Sequence, residues 1–159
     1  MKRRAKLLGL AAVLACVLVP LVLVLLALRD GGEAGAARAV ERLGGNVIRD
    51  PNAAGQPVVS VELGNTPVQD ADLKLLREFP HLRALHLVGT DVTDAGMREV
   101  GELRSLRTLN LRRTRVTDAG LKELRGLTEL RELDLADTPV TDAGVADLRT
   151  ALPGLRVSR

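Results

Sequence analysis

The chain has 159 residues, enough for one modest domain or a small domain with an appendage. Apolar residues make up 46% and charged residues 27%, which excludes wholesale disorder, and a single cysteine, Cys16, excludes an internal disulfide framework or a cysteine zinc site. Of 23 Lys and Arg, four (Lys2, Arg3, Arg4, Lys6) precede residue 7. That leaves 19 against all 20 acids, so everything from residue 29 onward carries a net charge of −1 and offers no footprint for nucleic acid.

Chain order begins with the basic tail, 1–6. Leu7 to Leu28 follows as 22 residues without a charge, which as a helix would span about 33 Å. The expectation is an uncleaved signal anchor over 7–28, interrupted by a tolerable Pro20. The positive flank would stay in the cytoplasm, with the remainder displayed on the far side as a single-pass membrane protein. Two other readings stand beside it. One is a cleaved signal peptide, with Ala34 and Ala36 as the small-residue pair; the other is a lipoprotein signal at Val13-Leu14-Ala15-Cys16.

Residues 29–57 read as a linker and an N-terminal cap. Glu33 to Leu43 carries an apolar stripe (Ala37, Val40, Leu43) and stops at Gly44-Gly45, so it is predicted as a helix. A strand is expected at Asn46 to Arg49 and a turn around Asp50-Pro51-Asn52. The expected role of this unit is to cover the amino-terminal end of the core built by residues 58–159.

From residue 58 the sequence repeats itself every 24 positions. Leu82-Arg-Ala-Leu-His-Leu87 recurs as Leu106-Arg-Thr-Leu-Asn-Leu111 and Leu130-Arg-Glu-Leu-Asp-Leu135, with an earlier copy at Val58-Val-Ser-Val-Glu-Leu63. Val92-Thr-Asp-Ala-Gly-Met97 recurs as Val116-Thr-Asp-Ala-Gly-Leu121 and Val140-Thr-Asp-Ala-Gly-Val145, and Val68-Gln-Asp-Ala-Asp-Leu73 is its degenerate forerunner. Stacking the copies yields apolar columns that begin at Val58, Val61, Leu63, Val68, Ala71, Leu73, Leu76 and Phe79. The first three have strand spacing and the last ones helical spacing. Each unit is therefore predicted as a short strand, a turn and a short helix that bury their inner faces only by stacking. A fifth unit starts at Leu155 after one extra residue near Thr150-Ala151, placing Arg156 in the same column as Arg131.

On these motifs residues 58–159 resemble the leucine-rich repeat family. More narrowly they resemble the bacterial T-x-V-T-D-A-G-L repeats abundant in planctomycete proteins, which are related to the cysteine-containing repeats of eukaryotic F-box receptors. The chain departs from the family pattern where Asn or Cys is usual, holding Thr66, Thr90, Thr114 and Thr138, and it has no F-box. The resemblance implies an α/β fold, a right-handed solenoid with a short parallel sheet on its concave face and short helices on the convex one. It also implies binding of partners, usually proteins, on the concave sheet; together with the anchor reading, the bacterial resemblance makes the expected location a bacterial cell membrane.

Several residue columns look chemical but suit structure. Thr93-Asp94, Thr117-Asp118 and Thr141-Asp142 precede helices and fit capping, with the acid complementing the helix dipole. Thr90, Thr114 and Thr138 fit hydrogen bonds to turn backbone, and Gly96, Gly120 and Gly144 fit close packing between turns rather than a phosphate cradle.

The outward strand positions form the candidate partner-binding face. One column is Glu62, His86, Asn110 and Asp134, and its neighbour is Ser60, Ala84, Thr108 and Glu132. Arg112-Arg113 lie beyond the strand, and a basic column runs Arg83, Arg107, Arg131, Arg156. Glu62, His86, Arg107, Asn110, Arg112, Arg113, Glu132 and Asp134 are the candidate contact residues, an Arg-rich polar surface suited to carboxylate partners. With Phe79 the only aromatic, a sugar-stacking platform is excluded. A hydrolase built on Glu62 beside His86 lacks a nucleophile in line, and Asp134 with Asp137 lacks a third metal ligand, so no catalytic residue, metal or cofactor is expected. The functional expectation is a non-catalytic protein-binding module, with an envelope scaffold lacking a discrete ligand as the alternative. A weak homodimer through the uncovered C-terminal strand, Leu155 to Arg159, is a further expectation.

Overall fold

The computed structural model describes residues 32–159. The expectations for the basic tail, the anchor over 7–28 and Cys16 lie outside those residues. Among the described residues, no helix is long and apolar enough to cross a membrane.

Helix α1 (Glu33–Arg42) opens this part of the chain and lays Ala36, Ala37 and Val40 into the core. It ends where Gly44 takes φ +85°, a left-handed conformation that a residue with a Cβ adopts at a cost. Strand β1 (Asn46–Arg49) then pairs antiparallel with β2 (Val58–Glu62). The cap is tied down at its start, because the Glu33 carboxylate accepts from Arg49 Nη1 at 2.8 Å and from the Val58 amide at 2.9 Å. Residues 33–49 thus form a helix and a strand, followed by a turn at Pro51-Asn52.

Four parallel strands extend the sheet in chain order: β3 (Ala84–His86), β4 (Thr108–Asn110), β5 (Glu132–Asp134) and β6 (Arg156–Ser158). Each step of 24 residues lands on the same rung, Val61 opposite Leu85 opposite Leu109 opposite Leu133. The return segments are a 3-10 helix over Asp70–Glu78, then α2 (Asp94–Val100), α3 (Asp118–Glu123) with a 3-10 turn at Leu124–Gly126, and α4 (Asp142–Ala151). The first return is 3-10 where the motif is degenerate: Gln69 and Asp72 replace the Thr and Gly of later copies and close a capping box instead.

One core runs through every unit. The strand residues Val58, Val61, Leu85, Leu109 and Leu133 and the helix positions Leu73, Met97, Leu121 and Val145 are buried in it, with Val47 and Val157 partly buried against its two ends. The alanine column is a correction. Ala71, Ala95, Ala119 and Ala143 are exposed, and Gly96, Gly120 and Gly144, one residue after the last three, face inward. A Cβ on Gly96 would lie 2.5 Å from Asp70 Oδ1, and one on Gly120 would lie 2.5 Å from Asp94 Oδ1. The turn before each helix is pressed so closely on the preceding unit that only hydrogen fits there.

The Thr–Asp pairs do two things, one of them not foreseen. Thr93 and Thr117 accept through Oγ1 from Ala95 and Ala119 amides at 3.2 Å, and Thr141 accepts from Gly144, so all three cap their helices as expected. The acids reach forward into the next repeat. Asp70 accepts from the Thr93 amide at 2.8 Å and its hydroxyl at 2.7 Å, Asp94 from those of Thr117 at 2.7 Å each, and Asp118 from those of Thr141 at 2.8 and 2.6 Å. At the end of the ladder Asp142 accepts from Arg159 Nη1. The Thr141 hydroxyl and amide hold the Asp118 carboxyl below the ordinary aspartate range, helped by the Arg159 and Lys122 charges.

Thr66, Thr90, Thr114 and Thr138 donate to Leu63, Leu87, Leu111 and Leu135 carbonyls at 2.6–2.7 Å, each within its own unit. Connection between units at this level is made by backbone: the Leu63, Leu87, Leu111 and Leu135 amides donate to His86, Asn110, Asp134 and Ser158 carbonyls.

The last repeat carries a second correction. The extra residue is absorbed by the ten-residue α4, with Leu152 buried as the counterpart of Leu127, but the strand register does not shift with it. Arg156 pairs with Glu132 and Val157 with Leu133, so Arg156 leaves the basic column.

Candidate functional site

The sheet has one side in the core and one open side. Two rows of outward positions run along it in register. The first reads Asn46, Glu62, His86, Asn110, Asp134, Ser158; the second reads Ile48, Ser60, Ala84, Thr108, Glu132, Arg156. Adjacent strands lie about 4.8 Å apart, so each row is a continuous line of side chains. Ile48, 45% exposed, is the only large apolar residue on the surface among the described residues. A shallow groove of about 330 Å³ lies across the later strands, lined by His86, Thr108, Asn110, Glu132, Asp134 and Arg156.

The eight predicted contact residues divide into three places. Glu62, His86, Asn110 and Asp134 share one row, and Glu132 stands on the next. Arg112 and Arg113 follow β4 at its carboxyl end, whereas Arg107 precedes β4 at the opposite end, so these cations flank the rows from two sides. All three arginines are exposed, while His86, Asn110 and Asp134 are half-buried between neighbouring rungs.

Two of the polar side chains also shape the backbone. Asn110 Oδ1 accepts from the Arg112 amide and Asp134 Oδ1 from the Ala136 amide, both at 3.0 Å, closing turns at the strand ends. The residue after each turn sits in a left-handed conformation: Asn65 at φ +55°, Gly89 at +66°, Arg113 at +55° and Asp137 at +58°. This column is another feature the apolar pattern did not reveal. Asn, Gly and Asp tolerate the conformation, and their recurrence at 24-residue spacing was the available signal.

Charge on the face is partly self-paired. Asp137 Oδ2 accepts from Arg112 Nε at 3.3 Å and Arg113 Nε at 3.2 Å, and Glu132 pairs with Arg156 at 2.9 Å. Arg107 Nη2 lies 3.6 Å from Glu129. Glu62 and His86 are adjacent rungs, but no hydrogen bond joins their side chains among the described residues. Asp137 is engaged by two guanidinium groups and Asp134 by a turn amide, so each carries a partner already.

Comparison with known proteins agrees with the repeat geometry. A leucine-rich repeat family model matches three consecutive segments, 80–101, 102–124 and 127–148. No curated protein sequence matches the chain. Similar solved structures include an internalin (inlF) of Listeria monocytogenes, 18% identical with a TM-score of 0.44, covering 63% of this chain and 34% of that one. An internalin C2 (inlC2) of the same organism is 19% identical with a TM-score of 0.45, covering 77% and 62%. A leucine-rich repeat protein of Leptospira interrogans is 21% identical with a TM-score of 0.41, covering 54% and 27%. The chain thus spans less than two thirds of the length of each of these structures. The matched segments coincide with the stacked strand–helix units, so within residues 80–148 the chain is similar to leucine-rich repeats.

Proposed function

We propose that this chain is a non-catalytic protein-binding module that docks a partner on the open face of its sheet. It is tethered to a bacterial membrane by residues 7–28, with the repeats outside the cytoplasm. The docking reading rests on the two in-register rows of outward side chains, which hold Glu62, His86, Asn110, Glu132 and Asp134 on one surface flanked by Arg107, Arg112 and Arg113. Leucine-rich repeats are typically protein-interaction modules, and a rigid strand array presents such side chains at little entropic cost. The tether reading rests on the uncharged run and its basic flank, which stand directly before the described part of the chain.

Binding is tested by capture from envelope extract with full-length native bait and with the R107E/R112E/D134R variant. Loss of specific capture by the variant is the expected outcome; equal capture by both removes the docking face. The self-paired charges Arg156–Glu132 and Arg112–Asp137 favour a second reading, an envelope scaffold whose face is simply solvated, and that reading predicts equal capture. A reporter fused after residue 30 tests topology, since activity of a reporter that works only in the cytoplasm contradicts the proposed orientation.

A further inference from the structure

At the amino-terminal ends of β3, β4 and β5 the chain stacks three arginines directly on one another. Arg107 donates its amide to the Arg83 carbonyl and Arg131 its amide to the Arg107 carbonyl, each at 2.8 Å, so the three sit on consecutive rungs. Like charges at neighbouring rungs repel, and a folded surface ordinarily offsets them with acids. Here the offset is thin. Among the described residues Arg83 and Arg131 have no carboxylate within ion-pair distance, and Arg107 has only the distant Glu129. The other rim differs, with Asp137 bridging Arg112 and Arg113.

The stacked row borders a cleft of about 300 Å³ lined by His81, Arg83, Arg104, Ser105, Arg107 and Glu129. Its walls are pinned from outside: Arg104 Nη1 donates to the Gly126 carbonyl at 2.9 Å, and Ser105 Oγ donates to the Pro80 carbonyl at 3.0 Å. Arg83 and Arg107 therefore line, beside a single carboxylate, Glu129, a concavity large enough for side chains, with Arg104 held to the Gly126 carbonyl at its wall.

We propose that this cleft and the Arg83–Arg107–Arg131 row bind an acidic, extended peptide segment of a protein partner. The proposal deepens the docking reading above and rests on it. Guanidinium pairs bidentately with carboxylate, which selects Asp and Glu over neutral amides. Two strand spacings separate Arg83 from Arg131, about 10 Å, while alternate side chains of an extended peptide lie about 7 Å apart. Acids at every second position thus place two carboxylates within reach of all three arginines.

The test measures binding of a fluorescent peptide with aspartate at every second position to the full-length chain in detergent, against the same peptide with asparagine. Saturable binding of the aspartate peptide, roughly tenfold weaker in R83Q/R107Q/R131Q and unchanged in R98Q/R149Q, whose exposed arginines lie on helices α2 and α4 away from the sheet face, is the expected result. The single variant R83Q, which removes no ion pair among the described residues, provides a smaller loss in the same direction if the triple variant folds poorly. No saturable binding, equal binding of the asparagine peptide, or equal loss in R98Q/R149Q overturns the proposal. Failure here with capture from extract still sensitive to D134R leaves the docking face standing without an acidic segment. Equal capture by native and R107E/R112E/D134R removes the docking face itself.

Discussion

Asp94 belongs to one repeat and completes the next: its two oxygens accept from the Thr117 amide and the Thr117 hydroxyl, both at 2.7 Å, and Oδ1 accepts again from the Gly120 amide at 3.0 Å. The same relationship joins Asp70 to Thr93 and Asp118 to Thr141. A carboxylate shared this way satisfies helix-entry amides that would otherwise lack acceptors, and it stitches each unit to its neighbour.

Replacing Asp94 with Ala should lower stability by about 2–3 kcal/mol, because amides of Thr117 and Gly120 lose a charged acceptor in a partly buried turn. D94A and T117A combined should cost less than the sum of the two. Urea unfolding of the four proteins measures this coupling, and strict additivity would show that the ladder contributes nothing.

Gly120→Ala should be destabilising by about 1–3 kcal/mol, since its Cβ would meet Asp94 Oδ1 at 2.5 Å and Met97 Cγ at 2.9 Å. Gly64→Ala is the control. Its nearest neighbours, Val88 O and Cβ, lie at 3.6 and 3.7 Å, ordinary contact distance. Thermal melts should separate the two variants clearly.

Asp118 titrates lower in the folded protein than in the unfolded chain, first through the Thr141 hydroxyl and then through its amide. Its contribution is therefore present above the ordinary aspartate pKa and lost as pH falls through the depressed folded value. The melting temperature of the native protein should drop between neutral pH and about pH 3, and D118N should show a smaller drop. An identical drop in both would remove Asp118 as a source of acid sensitivity.

Arg113 holds φ +55° where the other repeats use Asn65, Gly89 and Asp137. Arg113→Asn should raise stability by about 0.5–1 kcal/mol by relieving the left-handed strain, more than offsetting its exposed pair with Asp137. A lower melting temperature for R113N would contradict this balance.

Leu109 stands at the middle rung of the sheet with no exposure. Leu109→Ala should cost about 2–5 kcal/mol, and because its core is continuous from α1 to β6, the loss should appear as one shifted transition rather than two. Circular dichroism and denaturant titration would reveal a second step if the units unfold independently.

The sequence by itself determined the repeat and its period, the strand of each unit, the helices of the last three full units and the two outward rows. All of these follow from periodicity, since side chains 24 residues apart must share an environment when identical units stack. Where the periodic argument was loose, contacts across units decided. The alanine and glycine columns are adjacent and both small, so spacing could not say which faced inward; the carboxylate lying against each glycine settled it. The aspartates looked like helix-dipole partners because their hydrogen-bond donors belong to the following repeat, 23 residues on. Arg156 followed its motif by sequence but Glu132 by hydrogen bonding, because α4 took up the inserted residue and the sheet kept its register. Tertiary structure alone chose these outcomes, for each depends on what one unit presses against in the next, which a single repeat does not encode.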